Sequence, residues 1–136
     1  MKALIDTNVV LDILLHRQPW YADAAMVFGM ADEKLLKGYV PASAITDIFY
    51  IAQKQLGKNT AREAIKRLLS VFQPATVTDK NIYQALALEW KDFEDSVQYI
   101  VGENFSVDYI ITRNIQDFNS GSIPTVTPEQ FIQTNS

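Results

Sequence analysis

The stretch "KALIDTNVVLDILL" (residues 2–15) decides the fold. "KALI" (2–5) is a short apolar run of the kind that forms a buried strand. Asp6 ends it, at a place where an unpaired carboxylate taken out of water is expensive. Something must compensate: a hydrogen bond, a cation or a ligand. Thr7 and Asn8 follow at once, then an apolar helical pattern that runs toward His16.

Working outward, strand and helix signals alternate. After Pro19, "WYADAAMVFGMADEK" places Ala24, Val27, Phe28 and Ala31 on one helical face. "GYVPA" (38–42) is a weak strand. Ser43 is expected to cap "AITDIFYIAQKQL", which Gly57 ends. Thr60 is expected to cap a helix whose stripe is Ala61, Ala64, Ile65, Leu68, Leu69 and Phe72. "ATVT" (75–78) reads as a strand and "DKNIYQALALEW" as a helix. A helix from Glu94 buries Val97, Ile100, Val101 and Phe105. "YIIT" (109–112) is a further strand, and "IPTVT" (123–127) an edge strand closed by Pro128. Alternation of this kind predicts a three-layer α/β/α domain around a parallel sheet of four or five strands. Right-handed crossovers then bring every strand's C-terminal end to one rim, where ligands usually bind.

The chain has 136 residues, 48% of them hydrophobic and 21% charged. That suffices for one core over 1–136 without disulfides. The absence of cysteine excludes thiol nucleophiles, iron–sulfur clusters and cysteine-based zinc sites, and it fits a reducing cytoplasm. No apolar run is long enough to span a bilayer, and the N-terminus does not resemble a signal peptide. The net charge of −4 is the wrong overall sign for a phosphate-binding surface, unless a basic strip or bound divalent cations correct it.

Four segments carry carboxylates to the expected rim. Asp6 ends the first strand and Asp47 lies about one turn into the helix after the second. Asp92, Glu94 and Asp95 crowd the start of the helix before "YIIT", and Asn114 and Asp117 follow that strand. Aspartate near a helix start often does no more than cap it. Asp95 and Asp117 taken singly fit that role, Asp47 fits it less well, and Asp6 least. Converging carboxylates repel unless cations lie among them. An all-oxygen set without cysteine or a placed histidine suits Mg²⁺ or Mn²⁺, ions matched to phosphodiester hydrolysis.

"LIDTNVVLDILL", "PASAITDIFYI", "DFEDSVQYIV" and "DYIITRNIQDF" resemble, in order and spacing, the motifs of PIN-domain ribonucleases. The likeness is nearest to the small bacterial toxins of toxin–antitoxin pairs, and it runs to the closing "IPTVTPEQF". It implies one or two Mg²⁺ or Mn²⁺ ions and cleavage of RNA to 5′-phosphate and 3′-hydroxyl products. It also implies a small antitoxin partner and a homodimer. Asp6, Asp47, Asp95 and Asp117 would be the catalytic metal ligands. Thr7 and Asn8 would shape the Asp6 loop, with Ser43, Asp92, Glu94, Thr112 and Asn114 in support. Asp47 stands where the family usually has glutamate, and Asn114 where many members carry aspartate. The alternative is a weak or inactive PIN-like domain that binds RNA or protein.

Among the bases, Arg113 beside the acids is the candidate phosphate contact, with a salt bridge to Asp117 or a neighbour as its rival role. The strip between Lys54 and Arg67, with five bases and one acid, reads as a solvated helix face. His16 reads as an exposed turn residue, and Trp20 and Tyr21 as apolar anchors at a helix start. Rival α/β readings fail on single residues. A haloacid-dehalogenase-type phosphatase needs an acid where Asn8 stands. A response-regulator receiver needs a late lysine, and none follows Lys91. No Gly-rich nucleotide motif is present.

Overall fold

The computed structural model describes residues 1–135, so the reading of 1–136 as one unit extends one residue beyond them. Five parallel strands form one sheet: β1 (Lys2–Ile5), β2 (Lys37–Pro41), β3 (Gln73–Ala75), β4 (Tyr109–Ile111) and β5 (Thr125–Val126), in the order β3-β2-β1-β4-β5. The helices are α1 (Thr7–Leu14), α2 (Tyr21–Asp32), α3 (Ile45–Leu56), α4 (Lys58–Leu69), α5 (Asp79–Leu88), α6 (Phe93–Asn104) and α7 (Pro128–Asn135). Period-two alternation sorts the strand residues between two cores. Ala3, Ile5, Val40 and Ile111 pack with α1 to α4 and with Phe131 of α7. Leu4, Tyr39 and Ile110 pack with Ala85 of α5 and with Val97, Ile100 and Val101 of α6. Helices therefore cover both faces, and the three-layer expectation holds.

The strand order fixes where a ligand can bind. From β1 the chain adds β2 and β3 on one side, then crosses back to place β4 and β5 on the other. The direction reverses between β1 and β4, and a crevice opens at such a switch point outside the strand ends. Asp6 leaves β1 there, and Thr112 leaves β4.

Several local expectations need correction. Ser43 does not cap α3; it lies in a 3-10 turn (Ala42–Ala44), and α3 starts at Ile45 without a side-chain cap. The turn takes up Ser43, the expected cap, and Ala44, the expected first residue of the helix. Thr60 does not cap α4, which begins at Lys58 behind Gly57, whose φ of 82° is natural only for glycine. The third strand is Gln73–Ala75 rather than 75–78, because Thr78 is drawn into a capping box with Asn81 at the start of α5. Pro128, which closes the edge strand, is also the first residue of helix α7, and α7 docks Phe131 into the core. Among the described residues, no helix is long and apolar enough to cross a membrane.

Candidate active site

Asp6 occupies the N-cap position of α1 with extended backbone, yet its side chain makes no capping bond. Its carboxylate is 4% exposed and turned to other partners. Gln98 Nε2 of α6 donates to Oδ1 at 2.9 Å, and Thr112 Oγ1 donates to Oδ2 at 2.9 Å. Gln98 Oε1 accepts the Thr7 amide at 3.3 Å, and Thr112 Oγ1 accepts the Asn114 amide at 3.1 Å. Each partner of the carboxylate is thus itself held. Burial pushes the Asp6 carboxyl above its ordinary range; the Gln98, Thr112 and Thr7 donors oppose this, and the Asp117 charge adds to it.

Asp92 caps α6 by accepting the Asp95 amide on Oδ1 at 3.1 Å. The Asp95 carboxyl has no such duty. Burial first, then the charges of Asp92, Asp6, Asp117 and Glu94, push it up to about 7. Glu94 is raised by burial and by Asp6, Asp92 and Asp47, while the Thr7 hydroxyl favours its charged form. Thr7 Oγ1 is nonetheless buried without a hydrogen bond of good geometry, the one such side-chain atom among the described residues. Asp92, Asp95 and Asp117 line a cleft of about 920 Å³ with Trp90 and Gln116. Asp47, Ser43 and Glu94 line a smaller one of about 210 Å³ that also touches Gln98.

The segments that carry the acids are those of a known domain. A family profile described as PIN domain matches residues 2–116. The chain belongs to the PIN-domain family. A toxin–antitoxin complex from Klebsiella pneumoniae superimposes with a TM-score of 0.68 at 23% identity, covering 93% of this chain and 97% of that one. VapC20 of Mycobacterium tuberculosis, a sarcin–ricin-loop-cleaving toxin, gives 0.70 at 13% identity, covering 88% and 95%. VapBC2 from Rickettsia felis, bound to a DNA fragment from its promoter, gives 0.71 at 14% identity, covering 93% and 98%. These likenesses establish a shared fold. No curated protein matches the sequence.

Within this PIN domain, Asp6, Asp95 and Asp117 influence one another directly, whereas Asp47 is tied to the group through Glu94. Asp47 is the third residue of α3, inside its first turn, because the 3-10 turn delays the helix; there an acid also complements the helix dipole. Thr7 and Asn8 do not shape a loop, since α1 begins at Thr7 directly after the strand. Asn114 precedes a 3-10 turn (Ile115–Phe118) that contains Asp117.

Arg113 pairs with neither Asp117 nor the other cleft acids. Its Nε and Nη2 donate to Asp12 Oδ2 and Oδ1 at 2.8 and 3.1 Å, and its guanidinium lies 3.8 Å from the centre of the Trp20 ring. Asp12 is fully buried, and burial raises its carboxyl while Arg113 and then Arg17 lower it. Trp20 is thus a partly exposed platform rather than a simple apolar anchor. The basic strip is solvated as expected: Lys66 pairs with Glu63 and Arg67 with Asp32, both on the surface.

The donors fit a hard divalent cation in kind: all are oxygens, and one carboxyl of the group reaches about 7 through burial and like charge. As the side chains stand, no three His, Asp or Glu groups among the described residues close around a single point. Sequence reasoning missed Gln98 and Asp12, both polar residues inside apolar helical runs. That mismatch is the signal that could have found them.

Proposed function

We propose that this PIN domain is a metal-dependent endoribonuclease and the toxin of a toxin–antitoxin pair. The observation that carries the reading is the crowding of Asp6, Asp95 and Asp117 at the sheet's switch point, where burial first and then the repulsion of neighbouring carboxylates push the Asp95 carboxyl up to about 7. A stable fold gains nothing from such repulsion, and a cation relieves it. Asp6, Asp95 and Asp117 would hold one Mg²⁺ or Mn²⁺, and Asp47 with Glu94 would help hold a second. A bound ion of this kind supplies Lewis-acid polarisation of the phosphoryl group and a stronger nucleophile at neutral pH.

The residues of the chain do the positioning. Thr112 and Gln98 hold Asp6, Asp92 caps α6 and so sets Asp95, and Ser43 and Asn114 border the acids. Arg113, oriented by Asp12, retains Nη1 as a donor for a flanking phosphate. Hydrolysis would add water across the P–O3′ bond. The hydroxyl joins phosphorus to leave a 5′-phosphate, and the proton goes to the departing 3′-oxygen.

The partners follow from the same surface. An acidic cleft is closed most simply by a partner's cation, which suits a small antitoxin, and two of the similar structures contain such pairs. Exposed Tyr83, Leu86 and Phe93 provide apolar surface for a homodimer. We place the protein, a single domain over 1–136, in the cytoplasm.

A panel of structured RNAs incubated with Mg²⁺, Mn²⁺ or EDTA tests the reading. Metal-dependent cuts whose fragments carry 5′-phosphates support it. Cuts that persist in EDTA, or that leave 2′,3′-cyclic phosphates, refute it. A second reading, an RNA- or protein-binding domain without cleavage, is favoured by the acids not closing around one point. Metal-independent RNA retention with no cleavage would select it.

A further inference from the structure

Gln98 lies in the middle of α6, 1% exposed, between Val97, Ile100 and Val101, which belong to the core. A primary amide is costly there unless both of its ends are bonded. Both are. Nε2 donates to Asp6 Oδ1 at 2.9 Å, and Oε1 accepts the Thr7 N–H at 3.3 Å. This pairing fixes the orientation of the amide. Turned over, it would set an oxygen against the Asp6 carboxylate and an NH₂ against the Thr7 N–H, repelling both. Thr112, buried at the end of β4, grips the opposite oxygen of the same carboxylate. Asp6 is therefore clamped from α6 on one side and from β4 on the other.

We propose that Gln98 is the positioning residue of the metal site, an uncharged clamp that sets the direction of the Asp6 carboxylate while leaving its charge available to a cation. The proposal rests on the metal-dependent reading above and adds a residue to it. The choice of side chain follows from the chemistry. A methionine or leucine would fill the same space but leave the Asp6 Oδ1 and the Thr7 N–H without their partner, so the carboxylate would lose its direction and the fold some stability. A lysine or arginine would bond the carboxylate more strongly but would cancel the negative charge that holds the ion. A glutamate would add a second carboxylate against Asp6. Glutamine donates to the acid, braces itself on the first amide of α1 and contributes no charge. Partners that orient a metal ligand in this way typically carry about a 10–100-fold effect on affinity or activity when removed.

The test compares wild type, Gln98→Met and Asp6→Asn. Free Mn²⁺ is measured by electron paramagnetic resonance across a titration, alongside kcat and KM for RNA cleavage and urea unfolding. Gln98→Met is expected to weaken Mn²⁺ about 10–100-fold, with kcat falling in step and KM for RNA within about 2-fold. If the methionine variant does not fold, Gln98→Asn retains the amide one methylene further away and should weaken Mn²⁺ in the same direction. Mn²⁺ affinity and kcat within about 2-fold of wild type in a folded Gln98 variant, whatever its stability, would overturn the clamp and leave the ribonuclease reading intact. Mn²⁺ binding that depends on both Gln98 and Asp6 in a protein that cuts no RNA would support the clamp and refute the ribonuclease. Equal Mn²⁺ binding by wild type and Asp6→Asn, or none by wild type, would overturn both.

Discussion

Replacing Asp95 with asparagine should stabilise the metal-free protein above neutral pH. The folded-state carboxyl stands at about 7 against an ordinary 3.8, a rise of about 3 (7 − 3.8). At about 1.36 kcal/mol for each, the full penalty on the charged form is about 4 kcal/mol. The carboxyl borders an open cleft, so solvent screening reduces this to roughly 1–2 kcal/mol. The sign follows from linkage. An acid whose folded pKa is raised contributes no penalty below its unfolded value, and stability is lost as pH rises toward the folded value. Asp95→Asn removes that loss and also gives up a favourable charge in the first turn of α6, worth about 0.5 kcal/mol. In EDTA the variant should therefore exceed wild type by about 1 kcal/mol at pH 8 and match or fall below it at pH 4. Urea unfolding across that range reads the difference directly. Saturating Mn²⁺ should close or reverse the gap at pH 8, because only wild type retains the ligand. A variant no more stable than wild type at pH 8 in EDTA would refute the penalty of burial and like charge on which the site's reading stands.

Three further outcomes follow from other parts of the molecule. Arg113→Met leaves Asp12 buried without its bidentate partner and should cost about 3 kcal/mol at pH 8 by urea unfolding. Because the Asp12 carboxyl is then raised further, the loss should shrink as pH falls toward 5. Thr78→Ala removes the capping box of α5 and should lower stability by about 1 kcal/mol without changing cleavage. Asp47→Glu lengthens an exposed side chain toward the other acids; Mn²⁺ affinity should rise several-fold while stability stays within about 0.5 kcal/mol, as calorimetry and urea unfolding would show.

The parts of this PIN domain legible in the sequence are those written in local pattern. "KALI" and "YIIT" are short apolar runs and are strands in the fold, and the stripe from Ala61 to Leu69 lies along α4, with Phe72 buried just beyond its end. The acids could be placed on one rim because strand–helix alternation dictates a parallel sheet with its strand ends together. What stayed hidden depends on contacts distant in sequence. The bonds of Asp6 to Gln98 and Thr112 span 92 and 106 residues, and that of Arg113 to Asp12 spans 101. No window of sequence contains both ends of such a pair. The displaced boundaries have a different cause. Ser43, Thr60 and Thr78 are all residue types that cap helices, and only local backbone geometry decided that Thr78 does so.

The most direct test of the central claim is a paired measurement on Asp6→Asn: RNA cleavage with Mn²⁺ and urea unfolding in EDTA. Asparagine can accept from Gln98 and donate to the Thr112 hydroxyl, so the fold has partners for both ends of the new amide. The account predicts cleavage reduced at least about 100-fold in a protein as stable as wild type or more so. Cleavage equal to wild type would contradict it, because the buried acid at the end of β1 would then have no part in the chemistry.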